Sequence, residues 1–349
     1  MQKIFKLLVV QRISLSNKNL KSRSIAARFI PLLSFMKRQG LLDWKEILEE
    51  DISISQLKQF DAILFNKHTS QTALRILRLS NDLGLKTIYD LDDWIFDLPT
   101  YSVTKLNDDI FQNILNMIRE SYVVTVSNQF IMDKLKQIKS NLKLVPNGFD
   151  HEAISSQPIT WKEAYPPKIL FSNTDGIKLV KFKDEFIKVL SFFMESHPMV
   201  SIDFWGDPFS EMRKIPRIIN RGFLENTVYK TSIRDAGYIF GIVPLGGFEE
   251  DPETLFFNSC KSCIKYIDYS SLGIPGIYSE SPVYLNAISH MKTGYLVKNN
   301  TKSWLDAMNN LFENSSLRNQ FRICAYEDSI KNFGISSSAD IFLKIFLNN

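Results

Sequence analysis

Short runs of β-branched and aromatic residues alternate with longer stretches of helical period along the whole chain, and this rhythm constrains the fold more than any other feature. In the first half the runs are IFKLLVV (4–10), DAILFN (61–66), KTIYDLD (86–92), YVVTVS (122–127) and LKLVP (142–146). In the second half they are KILFSN (168–173), SIDFWG (201–206), RIINRGF (217–223), YIFGIVPL (238–245), IPGIYS (274–279) and GYLV (294–297). Strands that are apolar at nearly every position belong to parallel sheets covered by helices on both faces. Between the runs, QTALRILRLSNDLG has apolar residues at helical spacing and stops at Gly84, and SNQFIMDKLKQIK opens with Ser127 as a predicted N-cap. A further helix is expected from Lys178 to Ser196.

The rhythm breaks once. Residues 151–168, HEAISSQPITWKEAYPPK, have no sustained period and carry three prolines, which marks a linker. A chain of 349 residues suits two domains of about 150–200 residues each. The expectation is two tandem doubly wound α/β domains, residues 1–155 and 156–335.

The apolar fraction of 44% supports a sizeable core, and three cysteines (Cys260, Cys263, Cys324) make no disulfide framework and fit a reducing compartment. No apolar run reaches the roughly 18 residues that span a membrane. The opening MQKIFKLLVVQR has no small-residue cleavage site after it, so a buried strand is expected there rather than a signal peptide. A cytoplasmic protein follows as the expectation. Charge is unevenly placed: Met1 to Leu42 holds no acid, while Arg12, Lys18, Lys21, Arg23, Arg28, Lys37 and Arg38 are basic among apolar residues. Such a stretch suits either a helix packed on the sheet or the surface of an anionic membrane. Nucleic acid is not expected, because no stacking platform of aromatics accompanies the charge.

In doubly wound sheets, ligands bind at the carboxyl ends of the strands. That rule draws attention to YDLDDWIFDLP (89–99), where Asp90, Asp92, Asp93 and Asp97 cluster, and to Lys67 and His68 after the preceding strand. The carboxylates can grip an uncharged polar substrate, cap the following turn, or hold a hard cation. Cys260-x-x-Cys263 has no second pair and no histidine at ligand spacing, so packing is the simpler reading. No Gly-x-Gly-x-x-Gly follows any strand, which removes the ordinary dinucleotide-binding reading.

Three stretches together resemble a known family. LVPNGFD (144–150), KSCIKYIDYSSLGIPGIYS (261–279) and TGYLVKNNTKSWLDAMNNLFENSSLRNQF (293–321) are similar, in order and spacing, to segments of retaining nucleotide-sugar glycosyltransferases of the GT-B, family 4 type. The resemblance implies two Rossmann-like domains facing across a cleft, an acceptor side formed by the first, a donor side formed by the second, and a C-terminal helix (336–349) crossing back. It implies that Asp268 holds the donor ribose and that Lys265, Lys261 and Ser262 meet the diphosphate where a helix begins; Asn258 and the backbone amides after Gly246-Gly247 are the further donor-side candidates for holding the sugar. Lys178 or Lys181 is the implied further phosphate contact, and Asp90, Asp92, Asp93, Lys67 and His68 are the acceptor-side candidates. No metal or other cofactor is implied. The partners implied are a nucleotide sugar and a saccharide or lipid-linked saccharide, with a role in surface polysaccharide synthesis.

Two departures stand out. The family's second acid, eight residues before the first, is Cys260 here, and QRISLSNKN replaces the glycine-rich loop after the first strand. They leave open a catalytically silent relative acting as a partner. A metal-dependent, single-domain (GT-A) transferase using Asp90 and Asp92 is a further alternative.

Overall fold

A computed structural model describes residues 4–14, 17–96, 106–154, 161–173, 179, 181–248 and 251–347, with the backbone alone at 13, 14 and 17–21. Asp97 and Lys178 lie outside the described residues.

The strands are β1 (Phe5–Gln11), β2 (Ile13–Ser14), β3 (Asn17–Lys21), β4 (Leu42–Leu48), β5 (Ala62–Asn66), β6 (Lys86–Leu91), β7 (Val123–Val126) and β8 (Leu142–Leu144), followed by β9 (Lys168–Asn173), β10 (Ser201–Gly206), β11 (Ile218–Gly222), β12 (Phe240–Val243), β13 (Gly276–Ser279) and β14 (Tyr295–Val297). They form two six-stranded sheets, β4-β1-β5-β6-β7-β8 and β11-β10-β9-β12-β13-β14, and a small β2-β3 hairpin. Every pairing in the two large sheets is parallel.

Alternate residues of the first sheet serve two cores. Leu8, Val10, Ile63, Phe65 and Tyr89 face the helices Gln71–Asp82, Asp108–Glu120 and Gln129–Leu135. Leu7, Val9, Ala62, Leu64 and Ile88 face the helices Arg23–Arg38 and Ile335–Leu347. The second sheet is covered likewise, with the helices Lys183–Ser196 and Thr301–Glu313 on one face and Asn226–Asp235 and Ile264–Ser271 on the other.

The last helix belongs to the first sheet, as expected. Phe342 packs against Phe29 at 5.8 Å and Phe346 against Phe5 at 5.4 Å, and Lys86 Nζ donates to the carbonyls of Ile345 and Phe346 at the helix end. The chain therefore crosses between halves twice, and the crossings are stitched together: Phe149 N–H donates to Phe333 O (2.8 Å) and Ile335 N–H to Phe149 O (3.1 Å). A Cβ on Gly148 would come within 2.8 Å of Ile335 Cα, so this close approach requires glycine.

The basic N-terminal stretch resolves in favour of packing. Ile25, Phe29, Leu32, Leu33 and Met36 of its helix are buried against the sheet. Among the described residues no helix is long and apolar enough to cross a membrane.

Three local expectations are corrected. β4, LDWKEIL, is an additional edge strand; its charged, half-exposed positions hide the strand period. The helix after β7 is capped by Asn128, whose side chain accepts from Ile131 N, and not by Ser127, whose hydroxyl donates to Asp92 O instead. The helix after β9 begins at Lys183.

Arg28 and Asp90 form the buried ion pair that ties the first helix to the sheet. Arg28 Nε lies 3.1 and 3.0 Å from the two Asp90 oxygens and Nη2 lies 2.9 Å from Oδ1, with the Asp90 carboxylate fully buried. Removing one partner leaves the other as an uncompensated buried charge. Arg28→Met is therefore expected to destabilise the protein by about 3–5 kcal/mol, and Arg28→Met with Asp90→Asn to recover part of that loss, both read from denaturant unfolding.

Candidate functional site

The strand orders locate a crevice in each half. Neighbouring strands send their connections to opposite faces between β1 and β5 in the first sheet and between β9 and β12 in the second. Arg12, Lys67 and His68 follow the first pair, while Gly246 and Gly247 follow β12.

The acidic stretch divides by role. Asp90 accepts from Arg28, from Asn66 Nδ2 (2.8 Å) and from Thr125 Oγ1 (2.6 Å). A carboxylate so enclosed cannot reach an acceptor; it fastens the sheet's carboxyl edge. Asp92 and Asp93 instead hold Lys67, whose Nζ lies 2.9 and 3.1 Å from them. Burial alone would lower the Lys67 ammonium, but the two carboxylates outweigh it and leave its pKa raised. Lys67 sits at φ 50°, in the left-handed region that an L side chain rarely adopts. Asp90 is thus saturated by internal partners, while Asp92 meets Lys67 and Asn66 through Oδ1.

His68 is almost completely buried, with neither ring nitrogen hydrogen-bonded and Glu49 Oε2 3.7 Å from Nε2. Burial first, and then the Arg12 charge, push its pKa down to about 3, so the ring is neutral at ordinary pH. In place of a glycine-rich loop, the Gln11 side-chain carbonyl accepts from Arg12 N and Ser22 N (3.1 Å each) and closes the hairpin onto the start of the first helix.

On the facing side, the helix begins at Ile264, so Lys261 and Ser262 precede it rather than opening it. Both touch the first half. Asn128 Nδ2 donates to Lys261 O (3.0 Å), and Asn147 Nδ2 donates to Ser262 Oγ (2.8 Å) while its own oxygen accepts from Arg28 Nη1. Lys261 and Lys265 are partly buried, with no salt bridge to either among the described residues. Their ammoniums rest over aromatic rings: Lys261 over Phe257 at 3.9 Å, Lys265 over Tyr229 at 5.2 Å. Both pKa values are lowered, chiefly by burial. Asp93 opposes the shift at Lys261 and Lys67 adds to it; Asp268 opposes it at Lys265 and Lys230 adds to it.

Asp268 is buried beside Lys230, whose Nζ lies 3.0 Å from Oδ1. Lys230 was not legible as a site residue, because its partner is supplied by a different helix. Asn258 Nδ2 donates to Gly246 O (3.1 Å), and Asn299 Nδ2 to Gly247 O (2.6 Å), so side-chain amides fix the glycine turn. Gly247 has φ +85°, and a Cβ there would meet Thr254 at 2.6 Å. Lys181 pairs with Asp251 at 2.9 Å. Cys260, at the position of the family's second acid, is fully buried in the first half's core beside Phe256, which meets Trp94 and Phe130 edge-on; burial pushes the thiol up to about 12.

No family model matches the chain, and no curated protein is detectably similar to it in sequence. Solved structures are similar throughout its length. HepE from Anabaena, in complex with UDP and glucose, aligns over 99% of this chain and 100% of its own at TM-score 0.67 and 11% identity. A glycosyltransferase from Rickettsia africae aligns over 99% and 100% at TM-score 0.63 and 11% identity. Sucrose-phosphate synthase from Thermosynechococcus elongatus aligns over 99% and 100% at TM-score 0.61 and 12% identity. The chain has the GT-B fold: two Rossmann-like halves facing across a cleft, which sets aside the single-domain GT-A alternative.

The neutral His68 gives a pH signature. Its folded pKa lies below its unfolded value, so the unfolded chain takes up the proton first and stability falls as the solution is acidified. Relative to His68→Gln, the wild type is expected to lose up to about 1.4 kcal/mol of stability for each pH unit below about 6.5, measured by denaturant unfolding between about pH 7.5 and 5. Parallel pH profiles for the two proteins contradict a neutral buried ring.

Proposed function

We propose that the protein is a glycosyltransferase that moves a sugar from a nucleotide-sugar donor to a saccharide or lipid-linked saccharide acceptor, with retained anomeric configuration, in surface polysaccharide synthesis. Residues 1–155 with the C-terminal helix form the acceptor side, and residues 156–335 the donor side. The observation that carries this reading is the pair Lys261 and Lys265: two desolvated ammoniums with lowered pKa and no salt bridge among the described residues, at the cleft edge of a GT-B fold. Leaving partly buried cations without a carboxylate partner is costly unless an anion arrives, and a donor diphosphate is the anion that suits.

In this reaction the acceptor oxygen bonds to the anomeric carbon as the bond to the diphosphate oxygen breaks. The acceptor proton passes to the departing diphosphate, and Lys261 and Lys265 stabilise the charge that develops there, without a metal. Asp92 and Asp93, held by Lys67, orient acceptor hydroxyls, and Asp268 accepts from the donor ribose. Gly246, Gly247 and Asn258 shape the sugar pocket, with Lys181 near its rim. A membrane surface carrying the acceptor would be met by basic side chains alone, since the apolar face of the first helix is buried.

Cys260 favours a second reading, a catalytically silent GT-B relative acting as a partner or scaffold, because its buried thiol cannot replace a carboxylate facing the sugar. Calorimetry with UDP, GDP and dTDP, followed by assay of sugar transfer, separates the two. The enzyme reading expects binding of one nucleotide and turnover unaffected by chelator; binding without turnover for any nucleotide sugar supports the second reading. Lys261→Met and Lys265→Met are each expected to weaken nucleoside diphosphate binding about tenfold while melting no lower than the wild type, because each removes a partly buried charge that has no salt bridge. If no nucleotide binds the wild type, the enzyme reading fails and the silent partner stands.

A further inference from the structure

Lys230 is assigned no role by the reading above, yet it is nearly inaccessible and lies against Asp268. It comes from the helix Asn226–Asp235, whereas Asp268 and Lys265 share the helix Ile264–Ser271. Residues three apart on a helix share a face, so Asp268 and Lys265 are natural partners for an ion pair. They do not form one. Lys230 Nζ lies 3.0 Å from Asp268 Oδ1, an ion pair without hydrogen-bond geometry, and the Lys265 ammonium lies over the Tyr229 ring instead. Tyr229 is in turn anchored, its hydroxyl donating to Ser172 Oγ at 2.8 Å.

Two cations thus compete for one carboxylate, and the one without a phosphate role has it. We propose that Lys230 is a positioning residue: by occupying Asp268 it prevents Asp268 from neutralising Lys265, and so keeps Lys265 available for the diphosphate of the ligand. This rests on the reading of the cleft as a nucleotide-sugar site and adds to it a reason why Lys265 stays unpaired. The Lys230 ammonium also lies 4.7 Å over the ring of Phe149, on the chain crossing between the halves, so its own position is fixed from two sides.

Without Lys230, Asp268 becomes a buried carboxylate lacking a counterion, and the nearest cation on its own helix is Lys265. The pair would close, and the diphosphate would lose a contact although Lys265 itself is unchanged. Removing the carboxylate as well should release Lys265 again. A purely structural role for Lys230 has no such reversal.

The test compares affinity for whichever of UDP, GDP or dTDP the wild type binds with affinity for the matching nucleoside, by calorimetry and displacement. Lys230→Met is expected to reduce the diphosphate-over-nucleoside preference about tenfold, the size of one charge-assisted contact. Lys230→Arg is expected to retain the preference, and Lys230→Met with Asp268→Asn to regain it. An unchanged preference in Lys230→Met overturns the proposal. So does a double variant that stays as weak as the single one, since Lys230 would then touch the phosphate itself. Should Lys230→Met fail to fold, the double variant decides alone, because there the carboxylate that strands a charge is gone. A wild type that binds none of the three nucleotides refutes the donor-site reading instead, so the two failures are told apart.

Discussion

The carboxyl edge of the first sheet depends on one buried carboxylate. Asp90 binds Arg28 from the first helix, Thr125 from β7 and Asn66 from β5, and Asn66 also reaches Asp92, which holds Lys67. Through Arg28 the same network reaches Asn147, and through Asn147 it reaches Ser262 of the second half. A parallel sheet brings strand ends together but does not orient their side chains; here a chain of charge-assisted hydrogen bonds does so, in surroundings where each is stronger than in water. The acidic cluster that looks like a ligand site in the sequence is therefore half scaffold. Asp90 builds the edge, and Asp92 and Asp93 present Lys67 from it.

Cations without a carboxylate partner occur on both edges. The first half pairs Lys67 with two carboxylates and leaves the buried Arg12 Nε without a hydrogen-bond partner, and across the cleft Lys261 and Lys265 have no carboxylate within salt-bridge distance among the described residues, the one beside them lying against Lys230. An imbalance of this kind opposes stability and is understandable where a ligand supplies the missing charge. The two halves are brought close by contacts of another type: Phe256 against Trp94 and Phe130, Cys260 in the first half's core, and the Arg23 guanidinium 3.8 Å over Phe223.

Local patterning made the architecture legible. Apolar runs marked five strands of the first sheet and six of the second, and the break at 151–168 fell between the sheets. What escaped was determined by contacts distant in sequence. β4 is an edge strand whose charged residues obscure its period, and the choice of Asn128 over Ser127 as cap depends on Ser127 finding a partner in Asp92 O. Arg28 meets Asp90 across 62 residues, and nothing local in SIAARFI distinguishes it from the neighbouring surface cations. Lys230 is hidden in the same way. Lys261, Lys265 and Asp268 were legible because they lie on one short segment that resembles a known one, but their states of pairing were not. Burial of Cys260 was likewise invisible, since a cysteine in place of an acid reads the same whether it faces a cleft or a core.

The central claim is that Lys261 and Lys265 are held without counterions until a nucleoside diphosphate supplies them. The most direct test is an NMR titration of the side-chain resonances of the two lysines, assigned by substitution, with and without the nucleotide that calorimetry selects. The account predicts that both titrate below the ordinary lysine value of about 10.4 in the free protein and shift upward when the diphosphate binds. Lysines that titrate at the ordinary value and do not respond to bound nucleotide would contradict it.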